Sequence, residues 1–493
     1  MTIHSDWARL LKEECPQAFL THTPRSKFGV GIIDGHLQLM CLHSKLPSWK
    51  CFVNYLFLRP IMKLFDAGCP RVVLCFDCYD NVPVYKNMTQ LKRSKGHKVC
   101  VFNAEQDLPR MIPDDPMVFL MNRDFKKKVI DLVCAMLPKM IELRPTQEFF
   151  IDYKRVIRYG GGGTGALLIP TVVSGLAQMG ESDVKFARYV GMFGNALVHA
   201  IDGDYLAIAL LYYCVHGIKD DNKIFIFRQL SSLKPNKKSG GATAHPQPTK
   251  KLKNVDGFGD VGIGFSSACD LDGDDDDDGG GGGLGKRKQQ QQQQLQKKKE
   301  GVVKGWVDMQ MLFDTIAGCV FQGFFDGRPI NSVSQEPFTD GDAVHSAVML
   351  MLCAGTDFSR GLPFLGPKTI WDTLPSISYM LLQAASIHGD VDELLLLDGV
   401  VAKLYNTSYV RHLPSDCPSL ATVLKHLMKS SLSPGTKSKL PTQVQVENTI
   451  KNVKWVVEYW KTHNGLIETP LDGSNGFSWC SDARQVIFTD KSS

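Results

Sequence analysis

Residues 195–206 read Asn-Ala-Leu-Val-His-Ala-Ile-Asp-Gly-Asp-Tyr-Leu, and the fold class turns on them. The apolar run Ala196 to Ile201 fits a strand buried inside a parallel sheet. It stops at Asp202-Gly203-Asp204, two carboxylates one residue apart. On extended backbone that spacing sends both side chains to one face. Open α/β sheets hold ligands beyond the carboxyl ends of their strands, and paired hard oxygens suit Mg²⁺ or Mn²⁺. Asp-Gly-Asp is also good turn chemistry after any strand, and a lone Asp-x-Asp occurs in nucleotide-sugar transferases. A metal here therefore requires other acids in equivalent places.

Outward from that stretch the pattern repeats. Gly29 to Ile33 is a short apolar strand ending at Asp34, and Arg71 to Phe76 is a second, ending at Asp77. Helical periodicity between them, from Leu37 to Leu64, is interrupted by Pro47 and Pro60. Glu181-Ser182-Asp183 precedes a helical run, Val184 to Met192, that feeds the Ala196 strand. Acids in a first helical turn also serve as capping and dipole complements. Ile224 to Phe227 is another short strand, and Val344 to Cys353 is a buried helix followed by Ala354-Gly355-Thr356-Asp357. A parallel sheet would bring the ends of the Asp34, Asp77 and Asp202 strands to one edge. Carboxylates gathered there repel one another unless divalent cations neutralise them.

The chain has 493 residues, enough for two or three domains with ample core. No apolar run reaches the ~20 residues of a membrane span, and early acids (Asp6, Glu13, Glu14) argue against a signal peptide. An intracellular protein without a membrane partner is expected. The 14 cysteines are scattered within apolar stretches, which indicates reduced, buried thiols. Cys75-Phe76-Asp77-Cys78 has no second pair at zinc spacing and reads as strand cysteines. The net charge of +5 is compatible with a polyanion handled through metals.

Other segments set the organisation. A basic stretch holds Lys86, Lys92, Arg93, Lys95 and Lys98. A helix is expected from Asp124 to Leu137, ended or kinked by Pro138, and a strand over Glu148 to Tyr159. Gly160 to Gly165 matches Gly-x-Gly-x-x-Gly, but Pro170 stands where a phosphate-binding helix should run, so a hinge is the better reading. Residues 231–304 hold Gly, Asp, Gln and Lys tracts that cannot bury a core, and read as a disordered insertion. Its basic clusters suit nuclear localisation, nucleic-acid contact or a solvated linker. Gly361 to Ile370 places two glycine-bearing turns ahead of Pro367, the pattern of a helix–turn–helix with amides exposed to a phosphate backbone, or of an ordinary capped loop. The remainder is helical with Trp455, Tyr459 and Trp460, then a strand pattern near Gln485 to Phe488.

Ile33-Asp34, Phe76-Asp77, Glu181-Ser182-Asp183, Asp202-Gly203-Asp204 and Gly355-Thr356-Asp357, in that order, resemble the motifs of the flap endonuclease/XPG-type family of structure-specific 5′ nucleases. The resemblance covers roughly residues 1–374 apart from the insertion. It implies an α/β fold: a PIN-like, mostly parallel sheet flanked by helices, a helical arch over about 78–165, and a helix–turn–helix DNA-binding subdomain. Residues 1–230 and 305–400 would form the nuclease core, with 401–493 a helical extension. It implies two Mg²⁺ ions, with Mn²⁺ an acceptable substitute, held by Asp34, Asp77, Glu181, Asp183, Asp202, Asp204 and Asp357. Lys86 to Ser94 resembles the gateway helix, with Lys86 and Arg93 at the scissile phosphate. Gly361, Gly366 and Lys368 would contact duplex backbone, where relatives also bind K⁺. Thr2 in place of glycine, Asp183 in place of Glu, and the long stretch between Asp77 and Glu181 mark a divergent member.

The implied activity is hydrolysis of DNA phosphodiester bonds at 5′ flaps, nicks or ends, in replication, repair or recombination. A monomer in the nucleus, or in the replication compartment of a virus-infected cell, is the matching expectation; no sliding-clamp motif is read near the C-terminus. An RNA-directed 5′ nuclease uses the same metal core, and a non-catalytic scaffold would keep the fold alone. A transferase using Asp202-x-Asp204 leaves Asp34, Asp77 and Asp357 unexplained.

Overall fold

A computed structural model of the chain describes residues 4–40, 46, 48–78, 123–160, 170–174, 181–200, 202–231, 302–324, 327–355, 361–363, 365–387, 391–409, 419–430, 432–461, 477–480 and 485–488. By its contacts the chain divides into residues 1–228 with 305–493, and residues 229–304. Residues 232–301 of the expected insertion, the gateway segment with Lys86 and Arg93, and Asp357 lie outside the described residues, whereas residue 231 and residues 302–304 belong to strands, which corrects the ends of the insertion.

Five strands run parallel: β2 (Val30–Asp34), β3 (Arg71–Cys75), β4 (Glu148–Asp152), β7 (Ala196–His199) and β8 (Ile224–Ser231). With β1 (Phe19–Leu20), β5 (Val156–Gly160), β6 (Pro170–Val172) and β9 (Val302–Asp308), these strands form one mixed sheet in the order β1-β9-β8-β7-β2-β3-β4-β5-β6, while β10 (Phe477–Cys480) and β11 (Gln485–Phe488) form a separate antiparallel pair, as expected near Gln485 to Phe488. β5 and β6 are antiparallel additions beyond β4, and β1 pairs antiparallel with β9. The chain steps from β2 outward through β3 to β4, then returns to the other flank of β2 with β7 and β8. Strand order thus reverses between β2 and β7, where sheets of this kind open a crevice at their carboxyl ends.

Strand periodicity of two divides the core. Val30, Ile32, Val73, Cys75, Ala196 and Val198 face one layer, and Ile33, Val72, Leu74 and Leu197 the other. The second layer is covered by α3 (Trp49–Val53), α4 (Arg59–Asp66) and α5 (Arg123–Met140), which follow α1 (His4–Glu14) and α2 (Gly35–Met40) in the chain. The first layer is covered by α6 (Ser182–Phe193), α7 (Asp204–His216), α8 (Met309–Phe321), α9 (Asp340–Leu352) and α10 (Pro367–Ala385). The helices beyond residue 400, including Trp455 and Trp460, pack into that same core. Among the described residues no helix is long and apolar enough to cross a membrane.

Several local expectations are corrected. Pro60 does not interrupt the helical run: Asn54–Leu58 widens to π geometry, and the Arg59 N–H reaches the Asn54 oxygen. The wider turn absorbs the donor and space that proline removes. Of the two outcomes expected at Pro138, an end or a kink, the end does not occur there, since the helix continues to Met140. Glu148 to Tyr159 is not one strand but a hairpin, β4 and β5 meeting at Asp152↔Val156. Residues 123–160 pack onto the sheet through Phe125, Val129 and Phe149, so no arch is built from them. Pro170 opens the exposed edge strand β6, a place that needs no proline N–H. Described cysteines, Cys75 and Cys78 among them, are free thiols.

Entry to β2 is tight. A Cβ at Gly29 would lie 1.7 Å from the Phe193 carbonyl oxygen, at the end of α6. Gly29→Ala is expected to lower unfolding stability by about 2 kcal/mol or more in urea denaturation; a change under about 0.5 kcal/mol would contradict this packing.

Candidate functional site

The β2–β3–β4 registers place Asp34, Cys75 and Asp152 side by side in one row. Asp77 follows β3 by two residues on the same edge, and Asp202 follows β7 across the order reversal. Asp34 is held from its own side: its Oδ1 accepts the His36 N–H at 3.0 Å and the Leu37 N–H at 3.2 Å, capping α2. His36 Nδ1 accepts the Asp77 N–H at 3.1 Å, which assigns the ring its Nε2–H tautomer when neutral. The first turn of α6 closes the group. The Ser182 N–H donates to Asp77 Oδ1 at 2.9 Å, and Ser182 Oγ lies 3.4 Å from Asp34 Oδ1.

Burial is deep. Asp34, Asp77, Glu181, Asp183 and Asp204 are all buried, Glu181 completely. The Asp34 carboxyl is pushed up to about 7, first by burial and then by the charge of Asp77, with Asp183 and Asp202 adding to it against the Leu37 N–H bond. The charges of Asp77, Asp183 and Asp202 thus all reach Asp34. On the β8 side, Arg228 Nη1 donates to the Asp202 carbonyl oxygen at 3.1 Å. Burial lowers that guanidinium to about 10, and the Asp202 and Asp204 charges counter the effect.

Asp202-Gly203-Asp204 is not extended, which corrects the shared-face expectation. β7 ends at His199, Gly203 has helical φ −70° and ψ −24°, and Asp204 is the first residue of α7. The Asp204 N–H points to Asp202 Oδ1 at 3.4 Å. Asp202 is exposed at the mouth while Asp204 is buried beneath it. The turn chemistry and the acid cluster are one structure.

Elsewhere, among the described residues between α9 and α10, Gly361 and Gly366 each take a distinct place. A Cβ at Gly361 would meet the Ala354 oxygen at 1.9 Å, and Gly366 is the N-cap ahead of Pro367. Lys368 is engaged already: its Nζ lies 2.8 Å from both Glu14 Oε1 and Asp372 Oδ1, and those carboxylates raise its pKa.

Sequence reasoning missed Asp152, Lys185, His36 and Arg228. Asp152 ends an apolar strand just as Asp34 does, so the same pattern marks it. Its oxygens are taken, however, by Lys185 Nζ at 2.8 Å and the Tyr189 hydroxyl at 2.8 Å. Lys185 and Arg188 are the charges inside the otherwise mostly apolar helical run from Val184 to Met192, which was the legible signal. The donor set at this edge, hard carboxylate oxygens crowded and buried, fits Mg²⁺ or Mn²⁺ by its chemistry. Among the described residues, no three potential ligands are already converged on one point as a ready metal cage. Comparison with protein-family models and with curated protein sequences finds no match to this chain.

The Asp34 shift has a testable sign. Unfolded, Asp34 returns to 3.8, so between there and about 7 the folded protein holds the extra proton. Stability from this group is full below the lower value, falls as pH rises through the window, and is flat above it. In a chelator at pH 8, Asp34→Asn is expected to raise unfolding stability by about 1–4 kcal/mol, with no gain at pH 4. A loss at pH 8 would show the carboxylate to be compensated.

Proposed function

We propose that this chain is a divergent structure-specific 5′ nuclease, hydrolysing phosphodiester bonds of branched or nicked duplex DNA. One observation carries the proposal: Asp34, Asp77, Asp183 and Asp202 crowd together, with Glu181 and Asp204, at the carboxyl edge where strand order reverses. The mostly parallel sheet flanked by helices supports a PIN-like core, and the α9–α10 pair with its glycine turns supports a helix–turn–helix that meets duplex backbone without reading bases.

Asp34, Asp77, Glu181, Asp183, Asp202 and Asp204 would hold two divalent cations, with Asp357 completing the set. Such ions, when bound, supply an activated water and stabilise charge on the leaving oxygen. The chain's own groups do the rest. Backbone N–H groups of His36, Leu37 and Ser182 hold the Asp34 and Asp77 carboxylates in fixed orientations. Arg228 holds the Asp202 backbone from beneath. Lys86 and Arg93 stabilise charge on the phosphate. Lys368 exchanges an exposed carboxylate for a phosphate oxygen, a small cost because exposed pairs are weak. K⁺ at the helix pair and a monomeric state complete the proposal.

The test is cleavage of 5′-labelled flap, nicked-duplex and matched RNA substrates with Mg²⁺, beside Asp202→Ala. Asp202 is exposed, and the Arg228 hydrogen bond goes to its backbone oxygen, which alanine keeps, so the variant is expected to fold. Structure-dependent DNA cleavage falling at least about 100-fold in the variant is expected. Cleavage confined to RNA would make it an RNA-directed 5′ nuclease. Duplex binding without any metal-dependent cleavage would make it a scaffold.

A further inference from the structure

Lys185 is completely buried, and each N–H of its ammonium has a partner. It donates to the Phe76 carbonyl at 2.7 Å, the Asp152 carboxylate at 2.8 Å and the Asp152 carbonyl at 3.3 Å. The Phe76 N–H in turn donates to the Asp152 oxygen at 2.9 Å. Phe76 immediately precedes Asp77, so the chain entering Asp77 is clamped through both backbone groups of one residue. One turn earlier on α6, the Ser182 N–H binds the Asp77 carboxylate itself. The ends of β3 and β4 and the first turn of α6 thus form a closed frame whose joint is one ammonium.

Stability alone does not account for that joint. A buried Lys–Asp pair gains little over a well-packed apolar pair, because desolvation offsets the attraction. What the ammonium does that a methionine cannot is bond to a carbonyl and a carboxylate at once, fixing where Asp77 stands relative to Glu181 and Asp183. We infer that Lys185 is a positioning residue: through Phe76 and Asp152 it sets the spacing of the strand-end acid Asp77 and the helix-end acids Glu181 and Asp183. Asp152 is the counter-charge of this strut and no metal ligand, although it stands in the same row as Asp34. The inference rests on the metal-site reading above.

Lys185→Met alone leaves the Asp152 carboxylate buried beside an apolar chain and risks unfolding. The informative variant is Lys185→Met/Asp152→Asn, which removes the ammonium and its carboxylate, keeps an acceptor for Tyr189, and leaves Arg188, whose Nη1 stands 4.0 Å from Asp152 Oδ2, facing a neutral amide oxygen. Mn²⁺ binding is read from water-proton relaxation, taken as the difference from an Asp34→Asn/Asp204→Asn protein so that the Asp274 to Asp278 run cancels. Thermal unfolding and amide exchange at Ser182 are measured on the same samples. The expected result is a half-saturating Mn²⁺ concentration raised at least about tenfold, Ser182 exchange accelerated at least about tenfold, and a melting temperature within about 5 °C of wild type. Unchanged Mn²⁺ affinity in a folded double variant overturns the strut. If wild type shows no site-specific Mn²⁺ binding, the metal reading fails instead. The strut is then decided by Ser182 exchange, where selective loss of protection supports it and unchanged protection overturns it. Lys185→Gln/Asp152→Asn, a neutral hydrogen-bonding pair, is read by the same criteria if the first variant does not fold.

Discussion

Carboxylates confined at one sheet edge are the constraint around which this protein is built. Burial raises the cost of ionising Asp34, and the charges of Asp77, Asp183 and Asp202 raise it further. The fold meets that cost with oriented donors: two amides of α2 on Asp34, one amide of α6 on Asp77, and Arg228 beneath Asp202. These are fixed dipoles and one cation, supplied by elements that must pack first.

The cost and the chemistry share an origin. Carboxylates that repel without a ligand are ones a hard divalent cation would neutralise, and the edge sits at the sheet's order reversal, where such sheets open. Asp152 shows how the same edge is kept selective. It occupies the register row of Asp34, yet Lys185 and Tyr189 occupy its oxygens. Cation and carboxylate there cancel, while the neighbouring carboxylates remain in excess.

Packing explains why the frame is rigid. Strands β2, β3 and β7 are buried on both faces between two apolar layers, so their ends cannot shift independently. Gly29 and Gly361 mark two places where backbone passes so close to backbone that no side chain fits. The C-terminal helices extend one of those layers, so residues far along the chain support the same sheet.

The sequence by itself determined the α/β class, the strands at Val30, Arg71, Ala196 and Ile224, the helices feeding them, and the aspartates at or just after the ends of the first three of those strands. Those features are local: hydrophobic period and strand-end composition do not depend on distant residues. It misread Pro60 and the Glu148–Tyr159 hairpin, because the outcome at each depends on how neighbouring helix and strand are supported. Only the tertiary structure decided which strand-end acids stay in excess. Asp34 and Asp152 are alike in sequence context, and the difference between them is a lysine 33 residues from Asp152 in the chain. Likewise, Asp202 and Asp204 part company because a helix starts between them. Charge pairing across a core is settled by which helix packs over which strand, and no local pattern encodes that.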